Sequence, residues 1–288
     1  MSYNMQCICG SEDFKKIFHG KHKKKIAGQP KHYIHFSVLE CVSCSLTQTY
    51  PRPYESSESS EYYQEGLDLE YRLNDIQTFR NYAHTYLDHI AVYKKSGKIL
   101  EIGSSIGVTL KVAQERGYEV LGVDVNKGAA AKARELFSIE VLTQNIFELS
   151  HKLKDFDIVI LMHVLEHIED PPSFLKQTVK FLKPDGLLFI GVPNFDSLAA
   201  ERKQAKWGGL DPMRHLWQFT PGSLQKILDK AGLKVRKFVL NSNMNYEYDL
   251  NHASWFERKR LSSLLNKAKE LHRGDNLFCV AELSNGHL

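Results

Sequence analysis

KILEIGSSIGVTLKVAQERGYEVLGVDV, residues Lys98–Val125, decides the fold. KILEI is a short apolar run of strand type, and Gly103-Ser-Ser-Ile-Gly107 is a glycine turn that opens the helical pattern VTLKVAQER. Gly117 closes that helix, and YEVLGVDV is a second strand ending at Asp124. Strand, helix and strand within so short a stretch make a β-α-β unit of a Rossmann-like α/β domain.

The chemistry of the turn follows from its residue types. Glycines let the backbone approach a ligand, and a carboxylate at the end of the second strand accepts both hydroxyls of a ribose. Asp124 lies 21 positions beyond Gly103 (124 − 103 = 21). A dinucleotide site would carry G-x-G-x-x-G so that a helix N-terminus meets pyrophosphate. Here the pattern is G-x-x-x-G, with Glu101 two residues before the first glycine, which suits a cationic ligand better than a diphosphate.

Moving outward, DFDIVILMH is the fourth strand of the sheet and runs into His163-Val-Leu-Glu166-His167. Pro171 and Pro172 open a helix, Lys183-Pro-Asp-Gly186 turns into LLFIGVPN, and KVRKFVL and NLFCVAEL supply two further strands. Thr220-Pro221 caps another helix, and residues 252–272 form a polar helical stretch. The long excursion at 194–220 carries Trp207, Gly208, Gly209, Arg214, His215 and Trp217 at the strand ends, where loops usually carry function. Upstream, apolar residues spaced three and four apart from Leu73 to Ile90 predict one helix over Glu70–Tyr93.

The series LEIGSSIG, GVDV, DFDIVILMHVLEHIEDP and LKPDGLLFIGVPN resembles the ordered motifs of class I S-adenosylmethionine-dependent methyltransferases over roughly residues 95–240. The resemblance implies a mostly parallel seven-stranded sheet with helices on both faces and the last strand antiparallel. It implies Glu101 and Gly103 near the methionine moiety, Asp124 on the ribose, and Asn145 and Ile146 at the adenine. Ser104, Gly107, Val125 and His163 complete the expected cofactor contacts. Ser105 stands where the middle glycine is usual, and Asn145 where an acidic residue is common.

On the acceptor side, His163, Glu166 and His167 share one face of a helical turn at spacings of three and four. Together with His215 they are similar to the divalent-metal site of small-RNA 2′-O-methyltransferases and ubiquinone-pathway O-methyltransferases, although His163 replaces the first acidic ligand. Without metal, His215, His167 or His163 could serve as base toward a hydroxyl.

The N-terminal residues read differently. Cys41-x-x-Cys44 has the spacing of half a structural zinc site, and Cys7-x-Cys9-Gly10 supplies an irregular second half. FKKIF and HYIHFSVLE read as two strands around a turn with Gly28 and Pro30, a zinc-ribbon-like module too small to fold well without a staple. His32 and His35 could replace a ligand, whereas Cys279 in LFCVAEL reads as core. The expected division is 1–50 for this module, 51–69 for a linker (Tyr50-Pro-Arg-Pro-Tyr54, ESSESSE and the pair Tyr62, Tyr63), and 70–288 for the cofactor-binding domain.

Net charge is +4, yet residues 1–35 hold seven Lys against Glu12 and Asp13, a surplus of five (7 − 2 = 5) that includes Lys21, Lys23, Lys24 and Lys25. Such a run can be a solvated hairpin tip or can meet phosphate. With no run of eighteen apolar residues and no signal-peptide core, a cytoplasmic protein without a membrane span is expected. Paired cysteines, the Pro-Arg-Pro segment and this core together resemble bacterial methyltransferases of surface sugars and natural products. A small-molecule or saccharide acceptor is therefore expected, methylated on oxygen or nitrogen rather than carbon. RNA methylation with the basic ribbon gripping phosphate, and a non-catalytic Rossmann scaffold, are the alternatives. The oligomeric state is not legible.

Overall fold

A computed structural model describes residues 5–24, 32–52, 67–149, 152–241 and 254–284. Lys25, Gly28, Pro30, residues 53–66 with Tyr62 and Tyr63, and residues 252–253 lie outside the described residues, as do the side chains of Lys23, Lys24 and His32.

Seven strands form the main sheet: β4 (Lys98–Ile102), β5 (Glu119–Val123), β6 (Val141–Leu142), β7 (Phe156–Met162), β8 (Leu182–Pro193), β10 (Leu233–Asn241) and β11 (Asn276–Leu283). Their order is β10-β11-β8-β7-β4-β5-β6. The four ladders from β8 to β6 are parallel, and β11 enters antiparallel between β8 and β10. This is the Rossmann-like sheet expected from the β-α-β unit.

Both sheet faces are covered, which explains the continuous apolar runs of the central strands. Ile158, Ile160 and Met162 of β7 pack with Leu187 and Phe189 of β8 in one core. There they meet α2 (Ile76–Ala91), α3 (Val108–Glu115) and α4 (Lys127–Phe137) through Tyr82, Leu87, Leu110 and Ala133. The alternate residues Val159, Leu161, Leu188 and Ile190 face the other core. That core holds Phe174 and Leu175 of α6 (Pro171–Thr178) and Leu224 and Leu228 of α8 (Pro221–Lys230). Cys279 is buried there too, as its apolar segment suggests.

The expected helix over Glu70–Tyr93 is two helices, α1 (Leu67–Asn74) and α2. Asp75 leaves helical geometry, and its carboxylate accepts the Thr78 backbone N–H at 3.3 Å. A short polar side chain that can cap a new helix wins over the apolar periodicity that runs through it. The remaining helices are α5 (Ile146–Leu149), α7 (Leu198–Lys203) and α9 (Trp255–Glu270), the last within the polar stretch expected there. Among the described residues no helix is long and apolar enough to cross a membrane.

A second sheet has the order β1-β2-β3-β9, with β1 (Phe14–Lys24), β2 (His32–Cys41) and β3 (Thr47–Tyr50) antiparallel in sequence. Its fourth strand, β9 (Trp217–Gln218), comes from the 194–220 excursion. Cys7, Cys41 and Leu46 share the core of Trp217, Phe219 and the main sheet, so the cysteine-bearing segment is packed on the Rossmann layer.

Candidate functional site

At the carboxyl end of β4 the chain turns sharply over the ends of β5 and β7. Gly103 has φ +76, and its N–H donates to Val123 O at 2.7 Å. A Cβ on Gly103 would stand 2.4 Å from Val164 Cγ2, so both conformation and space demand glycine. The turn and the two helices before β4 enclose a cavity lined by Glu101, Ser104, Thr109, Tyr86, Met162 and His163, among others. Arg72 of α1 and Phe79 and Tyr82 of α2 complete its wall.

Glu101 is 3% exposed, and among the described residues neither its Oε2 nor the buried Ser104 Oγ has a hydrogen-bond partner. Burial pushes the Glu101 pKa up to about 8, while Thr109 and Arg72 pull it partly back and Asp124 pushes it further. A buried carboxylate with one oxygen unpaired is completed by a cation, and the α-ammonium of S-adenosylmethionine fits that need. Arg72, which sits over the Phe79 ring at 5.1 Å, is the cation of the same wall and suits a carboxylate. Nothing in the sequence marked Arg72, one of two arginines in the helical stretch Glu70–Tyr93.

Asp124 sits half-buried at the end of β5. Its Oδ2 accepts the Ser105 N–H at 2.7 Å and its Oδ1 accepts the Asn126 N–H at 2.8 Å, which orients the carboxylate. Gly107, also left-handed at φ +75, opens α3 without a side-chain cap. Val125 is 73% exposed beside Asp124. Asn145 is exposed, and its Oδ1 accepts the Phe147 N–H at 3.0 Å. Ile146 points into the core, and the side chain left outside on that turn is Phe147, at 51% exposed. Sequence reading passed over Phe147 because a four-residue helix has too little period to show which apolar residue faces out.

The segment after β7 brings a carboxylate and three histidines together. His163 takes a left-handed φ of +54, lines the cavity, and places Nδ1 3.2 Å from Glu166 Oε1. Glu166 is 0% exposed, and its Oε2 has no hydrogen-bond partner among the described residues. Burial alone would raise its pKa; the His163 hydrogen bond and the imidazoles of His167, His163 and His215 overcome it and hold the carboxyl down at about 2. The excursion delivers His215, whose Nε2 lies 4.0 Å from Glu166 Oε1. The rings of His167 and His215 meet edge to face with centroids 4.8 Å apart.

Backbone carbonyls settle the tautomers. His167 Nδ1 donates to Arg214 O at 3.1 Å, and His215 Nδ1 donates to Gly209 O at 3.0 Å. Each Nε2 therefore keeps its lone pair, the arrangement that metal-ligating histidines use. Burial, then the neighbouring His167, lowers the His215 pKa to about 4, and burial also lowers that of His167. Donor atoms of Glu166, His167 and His215 all lie within 4.8 Å of one another.

The four N-terminal cysteines also converge. Cys7 and Cys44 sulfurs are 3.5 Å apart, as are those of Cys9 and Cys41, and all four lie within 4.8 Å. A tetrahedral ion with Zn–S of about 2.3 Å needs sulfurs spaced on this scale. The irregular Cys7-x-Cys9 half closes because Gly10, at φ +92, turns its N–H back to Cys7 O at 2.8 Å. His35 stacks on His19 instead of joining the sulfurs.

The family model described as methyltransferase domain matches residues 75–237. A ubiquinone biosynthesis O-methyltransferase of Bartonella tribocorum is 33% identical over 102 residues, covering 34% of this chain and 41% of the relative. One from Idiomarina loihiensis is 27% identical over 150 residues, covering 48% of this chain and 61% of the relative. The chain thus spans less than two thirds of the length of either. The fold superposes on a SAM-dependent methyltransferase from Archaeoglobus fulgidus with a TM-score of 0.53 at 22% identity, over 73% of this chain and 98% of that one.

Proposed function

The chain belongs to the methyltransferase-domain family, and on that premise we propose that it methylates a hydroxyl oxygen of a small-molecule or saccharide acceptor seated at the Glu166, His167 and His215 cluster. The observation that carries this reading is the position of His163, which lines the cofactor cavity and hydrogen-bonds Glu166. Cofactor and acceptor would meet there. The preference for oxygen rests on the cluster's chemistry and on the curated relatives, which are named as O-methyltransferases.

S-adenosylmethionine supplies the electrophile, a methyl on a sulfonium. Glu101 holds its α-ammonium and Arg72 its carboxylate, and Asp124 accepts the ribose hydroxyls. Val125, Asn145 and Phe147 flank the adenine. Buried imidazole nitrogens that stay unprotonated at neutral pH can take the acceptor's hydroxyl proton, and His215 and His167 are the candidates. Transfer is an in-line displacement, so aligning the acceptor oxygen is the larger part of the task.

The same cluster has the donor set for a divalent ion: the orphaned Oε2 of Glu166 and two Nε2 lone pairs fixed by carbonyl bonds on the opposite nitrogens. A bound ion would acidify an acceptor hydroxyl by direct coordination. The cysteine set would hold zinc as a structural ion.

The experiment traces labelled methyl from S-adenosylmethionine into extract of cells lacking the protein, with and without chelator, after separating glycan, small-molecule and RNA pools. Label in the glycan or small-molecule pool is the expected result. Label in RNA would overturn the acceptor class, and label that survives the chelator would remove the divalent ion.

A further inference from the structure

His215 is bonded within the excursion, its N–H to Asp211 O at 2.9 Å and its Nδ1 to Gly209 O at 3.0 Å, and the next residue, Leu216, has its backbone held from two sides. Leu216 N donates to Glu166 O at 2.9 Å, and Leu216 O accepts the Thr49 N–H at 3.0 Å. The first bond ties the excursion to the turn that carries Glu166 and His167, and the second ties it to β3. The ladder continues with Gln48 opposite Trp217 and Thr47 opposite Gln218. Gln218 Nε2 adds bonds to Leu210 O at 2.9 Å and Thr49 Oγ1 at 3.3 Å.

β9 is two residues long, and the excursion before it is a six-residue helix followed by 3-10 turns. Elements this short take their order from partners. Its ladder partner β3 has only four residues and starts three positions after Cys44. The knuckle between β2 and β3 is closed by Cys41 N to Leu46 O at 3.0 Å and Ser45 N to Cys41 O at 2.8 Å. Lys226 of α8 donates to Cys44 O at 2.8 Å. A continuous chain of bonds therefore runs from the cysteine cluster through β3 to Leu216 and His215. The cofactor groups lie elsewhere: Arg72, Glu101, Thr109 and Asp124 sit on or beside α1, β4, α3 and β5, which share no ladder with β3 or β9.

We propose that the cysteine module positions the acceptor side of the active site: zinc held by Cys7, Cys9, Cys41 and Cys44 fixes β3, and Thr49 of β3 holds Leu216 so that His215 stands against Glu166 and His167. Thr49 is the positioning residue. Loss of the ion releases His215 and leaves the cofactor cavity intact. The inference rests on the reading of His215 as an acceptor-side group.

The test uses the full chain with labelled histidine. The imidazole N–H of His215, bonded to Gly209 O, is followed by NMR in wild type, Cys9→Ser and Thr49→Pro, with zinc content, S-adenosylmethionine affinity and methyl transfer measured on each. Cys9→Ser should lose zinc, the His215 signal and roughly a hundredfold of transfer, the scale of an ångström-level misplacement, with cofactor affinity unchanged. Thr49→Pro removes the N–H that bonds Leu216 O and the hydroxyl that accepts Gln218 Nε2, and should do the same while keeping zinc. A His215 signal that persists in either variant overturns the proposal. So does zinc-free wild type, or cofactor affinity that collapses together with the signal, since the module would then support the whole chain. Absence of methyl transfer in wild type, with the His215 response intact, would instead count against the proposed reaction.

Discussion

His163 Nδ1 lies 3.2 Å from Glu166 Oε1, and the same histidine lines the cavity that holds Glu101. One imidazole thus joins the cofactor cavity to a fully buried carboxylate on the acceptor side. The two halves can be perturbed separately.

Glu166→Gln keeps the side chain's shape and removes the charge that faces three histidines. Methyl transfer should fall by about a hundredfold or more, the scale of losing an acid–base or ion-holding group, while calorimetric affinity for S-adenosylmethionine is retained. Equal loss of cofactor affinity would place Glu166 in the cofactor site.

The Glu101 carboxyl is raised by burial from 4.5 to about 8 in the ligand-free protein. The folded state binds the proton more tightly, so this group's stabilisation is full below pH 4.5 and is lost as pH rises through 8. Thermal melts of ligand-free wild type should decline across that window, and Glu101→Gln should flatten the decline. Binding a cation displaces the proton, so cofactor affinity should climb from pH 6 toward 8; a pH-independent affinity would remove Glu101 from the ammonium site.

His215 shows the opposite sense, its pKa lowered from 6.5 to about 4 by burial and by His167. Its contribution to stability is complete above 6.5 and is lost as pH falls toward 4. As a base it stays unprotonated well into the acid range, so the acid limb of the pH–rate profile should lie below 6.5. A limb at the ordinary histidine value would assign the proton transfer to another group.

Gly103→Ala should cost about 1–2 kcal/mol for the left-handed backbone and more for the contact with Val164 Cγ2, with loss of cofactor affinity. Gly117 has φ +89 and open space around its missing Cβ. Its alanine variant should show the backbone cost alone in denaturant melts. Equal effects of the two substitutions would mean that Val164 yields at no cost.

Much of the architecture was legible because it is local. Two strand periods, a helical period and two glycines are enough to write the β-α-β unit, whereas helices on both faces of the sheet came with the family resemblance. The break at Asp75 was missed because apolar spacing continues across it, although the Asn74-Asp75 pair carries the capping chemistry. Phe147 was missed for the opposite reason, a segment too short to have a phase.

From the sequence alone come the succession of most core strands along the chain, the glycine turn with Glu101 before it and Asp124 at the end of the next strand, and the pairing of the cysteines as metal-type knuckles. All of these depend on residues close along the chain. Tertiary structure alone brings His215 to Glu166 and His167 across more than forty residues, sets Arg72 against Glu101, and makes the cysteine module's β3 the ladder partner of β9. Those juxtapositions come from which strand ends share an edge and which backbone groups still need partners after the main sheet has formed. No local period records either quantity.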